Sequence, residues 1–151
     1  MTANLDEKDR KILAVLQEHG DYTTRQIAKK TLLPITTIHH RIQKLKREKI
    51  IRGYTIAVDP HAVGKSFAAY VLISVNLEFL KQKRKTQYDL AHEISAFPFI
   101  EHVDIVSGGT DIVALIRVAD VHEFDAVLLR KLQQVEGIEK TQSLIVIHGI
   151  D

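Results

Sequence analysis

The sequence predicts an α+β protein in two parts, a short all-helical module followed by a module of four strands and two helices. Up to residue 48, apolar residues recur every three or four positions, which is the period of amphipathic helices. Beyond residue 66, short β-branched runs alternate with helical stretches. The charge also changes sign along the chain: residues 1–60 carry a net +5 and residues 61–151 a net −3.

The composition limits the possible function classes. A chain of 151 residues forms one ordinary domain or two small ones, and 45% hydrophobic residues support a packed core. The absence of cysteine excludes disulfides, thiolate zinc sites and thiol catalysis. No apolar run approaches the roughly 20 residues that span a bilayer, and the first residues do not resemble a signal peptide. We therefore expect a cytoplasmic protein with no membrane partner.

Capping residues mark the first two helices. Asn4 is a suitable N-cap for the first helix, because the acidic residues after it favour the positive end of a helix dipole. Gly20 is the expected C-terminal stop of this helix. Thr23 and Gln26 fit a capping box, which predicts a second helix that ends near Thr31.

The third predicted helix, residues 35–48, is apolar on one face and polar or basic on the other. About four residues separate it from the second helix, which is the spacing of a helix-turn-helix. In that motif the second helix enters the major groove of double-stranded DNA. The alternative is a three-helix packing unit without a DNA role. The predicted DNA-contact residues are Arg25, Thr36, Thr37, His40, Arg41, Lys44 and Arg47.

The domain boundary is predicted after this helix. Segment 50–59 is rich in β-branched residues and predicts a strand or an extended connector. We therefore expect a winged-helix-like helix-turn-helix domain at residues 1–52, a linker strand at 53–63 and a second domain at 64–151.

The second module is predicted to have βαββαβ order, which is the ferredoxin-like arrangement. Runs of apolar and β-branched residues predict the strands, whereas helical spacing, Pro98 and Gly137 delimit the helices. The basic run 81–85 is a loop or a helix start. The predicted strands are 67–77, 100–106, 112–118 and 138–147, and the helices are 86–96 and the stretch from Asp120 to Gly137.

One face of this predicted sheet has no helix to cover it. The first, third and fourth strands are apolar on both faces, and strands buried on both sides need a cover on each. A single chain would expose a large apolar patch, so we expect a homodimer through the sheet. Two recognition helices related by a two-fold axis would contact half-sites about 34 Å or a multiple of it apart.

Residues 23–59, followed by a βαββαβ module with SGGTDIV between its middle strands, resemble the Lrp/AsnC family. The most specific parts are Arg41-Ile42-x-Lys44-Leu45 running into Ile50 to Tyr54, and the turn from Gly108 to Asp111. The resemblance implies a transcriptional regulator that dimerises through its C-terminal sheet. It also implies assembly of dimers into higher oligomers, often an octamer, with an amino-acid effector bound between dimers.

The same resemblance implies an effector site at the glycine turn. Glycine N–H groups can donate to a carboxylate, and Asp111 can accept from an ammonium group. The alternative is a hairpin turn whose glycines only allow positive φ. The sequence departs from the family pattern at two places. Lys49 stands after the third helix, where the family often has glycine, and Gly109 and Thr110 replace the larger residues often found in this turn. The expected effector-contact residues are Gly108, Gly109, Thr110, Asp111, Thr141 and Ser143.

Two other functions remain open. Relatives with this two-part architecture act as sirohaem decarboxylases on a tetrapyrrole, but the eight histidines of this chain are scattered and show no metal-ligand spacing. We therefore expect no enzyme activity, no cofactor and no metal ion. The second alternative is a DNA-coating protein that has little sequence preference and does not respond to effectors.

Overall fold

The computed structural model describes residues 4–149, so the two ends of the predicted domains, residues 1–3 and 150–151, lie outside the described residues. The chain forms two compact units, Met1–Ala57 and Val58–Asp151. We name them the helical unit and the sheet unit. Within residues 4–149, no helix has both the length and the apolar character that a membrane crossing requires.

The helical unit contains three helices, as predicted, but α1 begins later than expected. Its N-cap is Asp6 rather than Asn4. The Asp6 carboxylate accepts a hydrogen bond from the Asp9 N–H at 2.9 Å, and the Asp9 carboxylate accepts from the Asp6 N–H at 3.4 Å. This reciprocal pair satisfies two N–H groups that the helix leaves without partners. The helices are α1 Glu7–Glu18, α2 Thr24–Thr31 and α3 Ile35–Arg47.

A small apolar core orients α3. The predicted capping box of Thr23 and Gln26 starts α2, and Pro34 is the N-cap of α3. Two of the core side chains belong to α3, at the spacing that places them on one helix face. They fix this face against α1 and α2 and leave the other face to solvent. The fully buried core residues are Ile12, Ile27, Ile38 and Leu45.

A left-handed residue ends α3. Lys49 adopts φ 57°, and its N–H donates to the Lys46 carbonyl while the Ile50 N–H donates to the Leu45 carbonyl. This is a Schellman motif, in which glycine is the usual residue at the Lys49 position.

Residues 53–63 form no strand, contrary to the prediction of a linker strand. All four strands of the sheet lie in the sheet unit, and an extended segment without a hydrogen-bonded neighbour forms no ladder.

The sheet unit has the predicted βαββαβ order, with one additional short helix. The four strands pair antiparallel in the order β2-β3-β1-β4. β1 ends before the predicted Leu77, because the Asn76 side chain accepts from the Phe79 N–H at 2.9 Å and starts α4. The elements are β1 Phe67–Val75, α4 Leu77–Gln82, α5 Gln87–Ser95, β2 Ile100–Ile105, β3 Ile112–Val118, α6 Val121–Arg130, a 3₁₀ turn Leu132–Gln134 and β4 Ile138–Ile145.

The two faces of the sheet differ in burial. The odd-numbered side chains of β1 from Ala69 to Val75 are buried in one core with residues of α5 and α6. Tyr70, on the opposite face, is 44% exposed and pairs with Leu115 of β3 and Leu144 of β4. The apolar residues of this uncovered face, which we name the open-face patch, are Tyr70, Leu72, Val113, Leu115 and Leu144.

Candidate nucleic-acid interface and ligand site

The solvent face of α3 is polar. Ile35, which the apolar pattern assigns to the inner face, is 48% exposed at the start of the helix, whereas Ile38 and Leu45 are fully buried. Arg25 is exposed on α2. The predicted DNA-contact residues of α3 are all exposed or half-buried: Thr36, Thr37, His40, Arg41, Lys44 and Arg47.

Two of these cations are paired with carboxylates of α1. Arg41 Nη1 lies 2.7 and 2.6 Å from the two Asp6 carboxylate oxygens and 2.8 Å from Asp9 Oδ1. Lys44 Nζ lies 3.4 Å from Asp9 Oδ2. Asp9 is the buried charged side chain of residues 4–149 and has 0% of its surface exposed. We name Asp6, Asp9, Arg41 and Lys44 the acid–base cluster.

The charges of Asp6 and Arg41 are stabilised by their contacts. The hydrogen bond from the Asp9 N–H, followed by the bond from the Arg41 side chain, lowers the pKa of Asp6 to about 2. Bonds to Asp6 and then to Asp9 raise the pKa of Arg41 above its ordinary value. Both shifts favour the charged forms, so this pair is ionic at neutral pH.

Most of the predicted DNA-contact residues share one concavity of about 480 Å³ on the helical unit. Arg25 and Arg47 lie outside it. Hydroxyl, imidazole, guanidinium and ammonium groups together supply the hydrogen-bond donors that contact phosphate oxygens and base edges. The lining residues are Asp6, Thr36, Thr37, His40, Arg41 and Lys44.

The side chains of the glycine turn are bonded to the sheet unit itself. The Thr110 hydroxyl donates to the Ile73 carbonyl at 2.9 Å. Asp111 Oδ2 accepts from the Val75 N–H at 2.8 Å, and Asp111 Oδ1 accepts from Gln87 Nε2 at 3.3 Å. Both carboxylate oxygens of Asp111 therefore have partners, whereas the sequence suggested this residue as the acceptor for an ammonium group. Gly108, with φ 147°, and Gly109 are exposed.

A concavity of about 360 Å³ lies beside this turn. Strand register places Thr141 and Ser143 on the helix-covered face, opposite Ile73 and Val71. Neither residue lines the concavity, although the sequence predicted both as effector contacts. The sequence did not predict Lys140 and Gln142, although alternation along β4 would have placed them together once the register was known. The lining residues are Leu72, Ser74, Gly109, Thr110, Lys140 and Gln142.

Comparison with known families agrees with the division into two units. Residues 5–52 match winged helix-turn-helix DNA-binding domains. Together with the exposed polar face of α3, this match defines the class: the chain is a DNA-binding transcriptional regulator. Residues 68–150, more than half of the chain, match the Lrp/AsnC ligand binding domain. The chain belongs to the Lrp/AsnC family, which confirms the resemblance of its sequence.

Similar proteins cover nearly the whole chain. The HTH-type transcriptional regulator FL11 of Pyrococcus abyssi is 34% identical over 147 residues, which are 97% of this chain and 92% of that protein. A transcriptional regulator of Neisseria meningitidis, solved as a complex with L-Met, has a TM-score of 0.88 and 26% identity, and the match covers 98% and 93% of the two chains. An AsnC family transcriptional regulator of Agrobacterium tumefaciens has a TM-score of 0.84 and 29% identity, with coverage of 97% and 93%.

Proposed function

We propose that this chain regulates transcription by binding specific double-stranded DNA sites as a symmetric homodimer whose DNA affinity depends on an amino-acid effector. The observation that supports DNA binding is the polar solvent face of α3. Ile38 and Leu45 fix the opposite face in the core, so the orientation of the donors is set before DNA arrives. We assign no catalytic step to the chain, in line with relatives that are named as regulators. In this proposal the protein binds its DNA sites in the cytoplasm.

The proposed DNA contacts divide into two groups. Thr36, His40 and Arg41, which line the 480 Å³ concavity, contact base edges and the nearest phosphates. Thr37 and Lys44 complete this group. Arg25 on α2 and Arg47 in the last turn of α3 contact phosphates farther along the backbone, because both are exposed outside the concavity.

The open-face patch supports the proposed dimer. Tyr70 and Leu144 are 44% and 47% exposed, and they pair across neighbouring strands with half-buried Leu115 beside them. An identical sheet packed on this face would bury an apolar patch that a monomer leaves in water. Dimers then assemble further, to an octamer in our proposal.

The concavity beside the glycine turn is the proposed effector site. Gly109 leaves its N–H accessible to a carboxylate, and Lys140 adds a positive charge at the same concavity. Asp111 is already bonded to Val75 and Gln87, so the ammonium group of an amino acid needs another acceptor, for which we propose a neighbouring dimer. The L-Met complex of the Neisseria meningitidis regulator supports an amino acid as the effector class.

Selection of binding sites from genomic DNA fragments by the purified protein tests the DNA part. We expect enrichment of sites with two-fold symmetry and a change in enrichment when a mixture of amino acids is added. Uniform recovery of fragments, with or without the mixture, would instead favour a DNA-coating protein. The affinity should also fall steeply with salt, because phosphate contacts release counterions.

Thermal unfolding with each of the twenty amino acids tests the effector part. A ligand that binds only the folded state adds about 2.7 kcal/mol at a hundredfold excess over its dissociation constant. Lys140→Gln should reduce this stabilisation, whereas Lys81→Gln, an exposed charge on α4, serves as the matched control. Absence of a shift with all twenty would contradict an amino-acid effector.

A further inference from the structure

The acid–base cluster places two carboxylates beside cations of α3, the helix that we propose to contact DNA. Asp6 is the N-cap of α1 and Asp9 lies in its first turn, yet their carboxylates lie within 2.6 to 3.4 Å of Arg41 and Lys44 on α3. The two cations are three residues apart on one helix face, which brings both within reach of Asp9. Asp9 is fully buried, whereas the Asp6 side chain is 52% exposed and lines the 480 Å³ concavity.

The cluster contains two carboxylates and two cations, so it carries no net charge. Attraction of a protein to any DNA sequence depends on cations that replace the counterions of the phosphates. Arg41 and Lys44 contribute little to that attraction while Asp6 and Asp9 are beside them, since a phosphate would meet carboxylates in the same concavity. Attraction to any DNA sequence depends instead on exposed cations outside the cluster, which include Arg25, Lys29, Lys30, Lys46, Arg47, Lys49 and Arg52.

The cluster nevertheless leaves Arg41 able to donate. Among the described residues, every hydrogen bond of its guanidinium to a carboxylate uses Nη1. The Nε and Nη2 groups remain as donors, and the contacts at Nη1 restrain the orientation of the guanidinium that carries them. A guanidinium held in one orientation can discriminate between base edges, because a bidentate contact depends on geometry as much as on charge.

We propose that Asp6 and Asp9 are specificity-determining residues, which neutralise and orient Arg41 and Lys44 so that these side chains distinguish DNA sequences rather than attract any DNA. This inference rests on the proposed DNA-binding function. Asp9 orients the two cations from inside the fold. Asp6 is the exposed member, and its carboxylate competes with phosphate for Arg41 Nη1.

Asp6→Asn is the informative variant. Asparagine caps a helix about as well as aspartate, so α1 keeps its start while the concavity loses one negative charge. Glu7→Gln is the matched control: it removes one charge from the same turn of α1, where Glu7 pairs with Lys11 at 2.8 Å and not with α3. The probes are a duplex selected from a random library by the unmodified protein and a scrambled duplex of the same base composition.

We expect Asp6→Asn to bind the scrambled duplex about three- to tenfold more tightly at 0.1 M salt, with a slope of log affinity against log salt steeper by up to about 0.9. Its preference for the selected duplex should fall by a similar factor, and Glu7→Gln should change both quantities less. The tighter binding of the scrambled duplex should disappear when Asp6→Asn is combined with Arg41→Gln. This result would show that Asp6 acts through Arg41.

Three results would overturn the inference. Equal effects of Asp6→Asn and Glu7→Gln would mean that only overall charge matters. Weaker binding of Asp6→Asn to both duplexes would mean that Asp6 supports DNA binding instead of restricting it. If the unmodified protein selects no duplex from the library, the proposed DNA-binding function fails first and the inference fails with it.

Discussion

The helical unit and the sheet unit are stabilised by different means. Four apolar side chains form the fully buried core of the helical unit, which also buries the carboxylate of Asp9. In the sheet unit, sixteen apolar residues form the buried core, and the open-face patch is still left partly exposed. The smaller unit therefore depends on ion pairs as well as apolar burial, whereas the larger unit has more apolar surface than its own helices cover.

This difference agrees with the function that we propose for each unit. A DNA-contacting unit exposes polar and cationic groups, so little apolar area remains for its core, and the acid–base cluster connects α1 to α3 across it. A sheet that dimerises can leave one face apolar, because a second copy covers that face. Substitutions in the two units should therefore have different consequences, and they test the comparison directly.

The largest effect is expected at the open-face patch. Leu115→Asp places a charge at the centre of the proposed dimer contact, next to Tyr70. We expect a folded monomer by light scattering and an affinity for the selected duplex that falls about 10²- to 10⁴-fold, since one chain contacts only one half-site. Leu129→Asp, 46% exposed on α6, is the control and should remain dimeric. A dimeric Leu115→Asp protein would refute our assignment of the interface.

A core substitution in each unit measures how independent the units are. Ile38→Ala and Ile73→Ala each remove a side chain with 0% exposure, and each should cost about 2–5 kcal/mol. Ile38→Ala should lower the calorimetric transition of the helical unit by more than about 10 °C and leave the sheet transition in place. Ile73→Ala should do the reverse. A single transition, lowered equally by both substitutions, would show that the two units unfold as one.

Local sequence signals were sufficient for most of the fold. The capping box of Thr23 and Gln26 and the apolar run of β3 predicted their elements correctly, because both signals lie within a few residues. The short helix α4 was missed. Its cap, Asn76, follows directly on an apolar strand, so alternation alone continued the strand to Leu77. Residues 53–63 have β-branched composition but no partner strand, and pairing is a tertiary property.

The candidate sites were less predictable than the fold. The sequence indicated the solvent face of α3, but not that Arg41 is bonded to Asp6, which lies 35 positions earlier. Charge pairs over such separations leave no periodic pattern. At the glycine turn, the choice between Thr141 and Lys140 depends on strand register, since a shift of one residue exchanges the two faces. A bulge between Ser74 and Val75 alters that register close to the turn.

Loss of Arg41 from the acid–base cluster should have a moderate effect on the stability of the helical unit. Arg41→Ala removes the 2.8 Å partner of the buried Asp9 carboxylate and leaves Lys44 Nζ and the Asp6 N–H, each at 3.4 Å. We expect a cost of about 1–3 kcal/mol in urea unfolding, together with weaker DNA binding and an intact dimer. Arg47→Ala, on the exposed last turn, should stay within about 0.5 kcal/mol of the unmodified protein. Equal stability of the two variants would contradict a structural role for Arg41.

The smallest effect is expected from acid pH. Since the pKa of Asp6 falls from an ordinary 3.8 to about 2 in the folded protein, the unfolded chain binds this proton more readily. The resulting stabilisation is complete above about pH 4 and is lost as the pH falls through 2. The pKa of Asp89 is also lowered, first by the Thr86 hydroxyl and then by the Thr86 N–H, so a capping carboxylate in the sheet unit provides a comparison.

Asp6→Asn should therefore be less stable than the unmodified protein at pH 5, and the two stabilities should converge near pH 2. Urea unfolding followed by far-UV circular dichroism measures both. Asp89→Asn should show the same convergence, but in the transition of the sheet unit. Because all other carboxylates titrate equally in each pair, the difference between curves isolates one residue. Parallel curves for Asp6→Asn would mean that Asp6 has the same proton affinity in both states, so that Asp9 would be the only carboxylate of the acid–base cluster that stabilises the contact between α1 and α3.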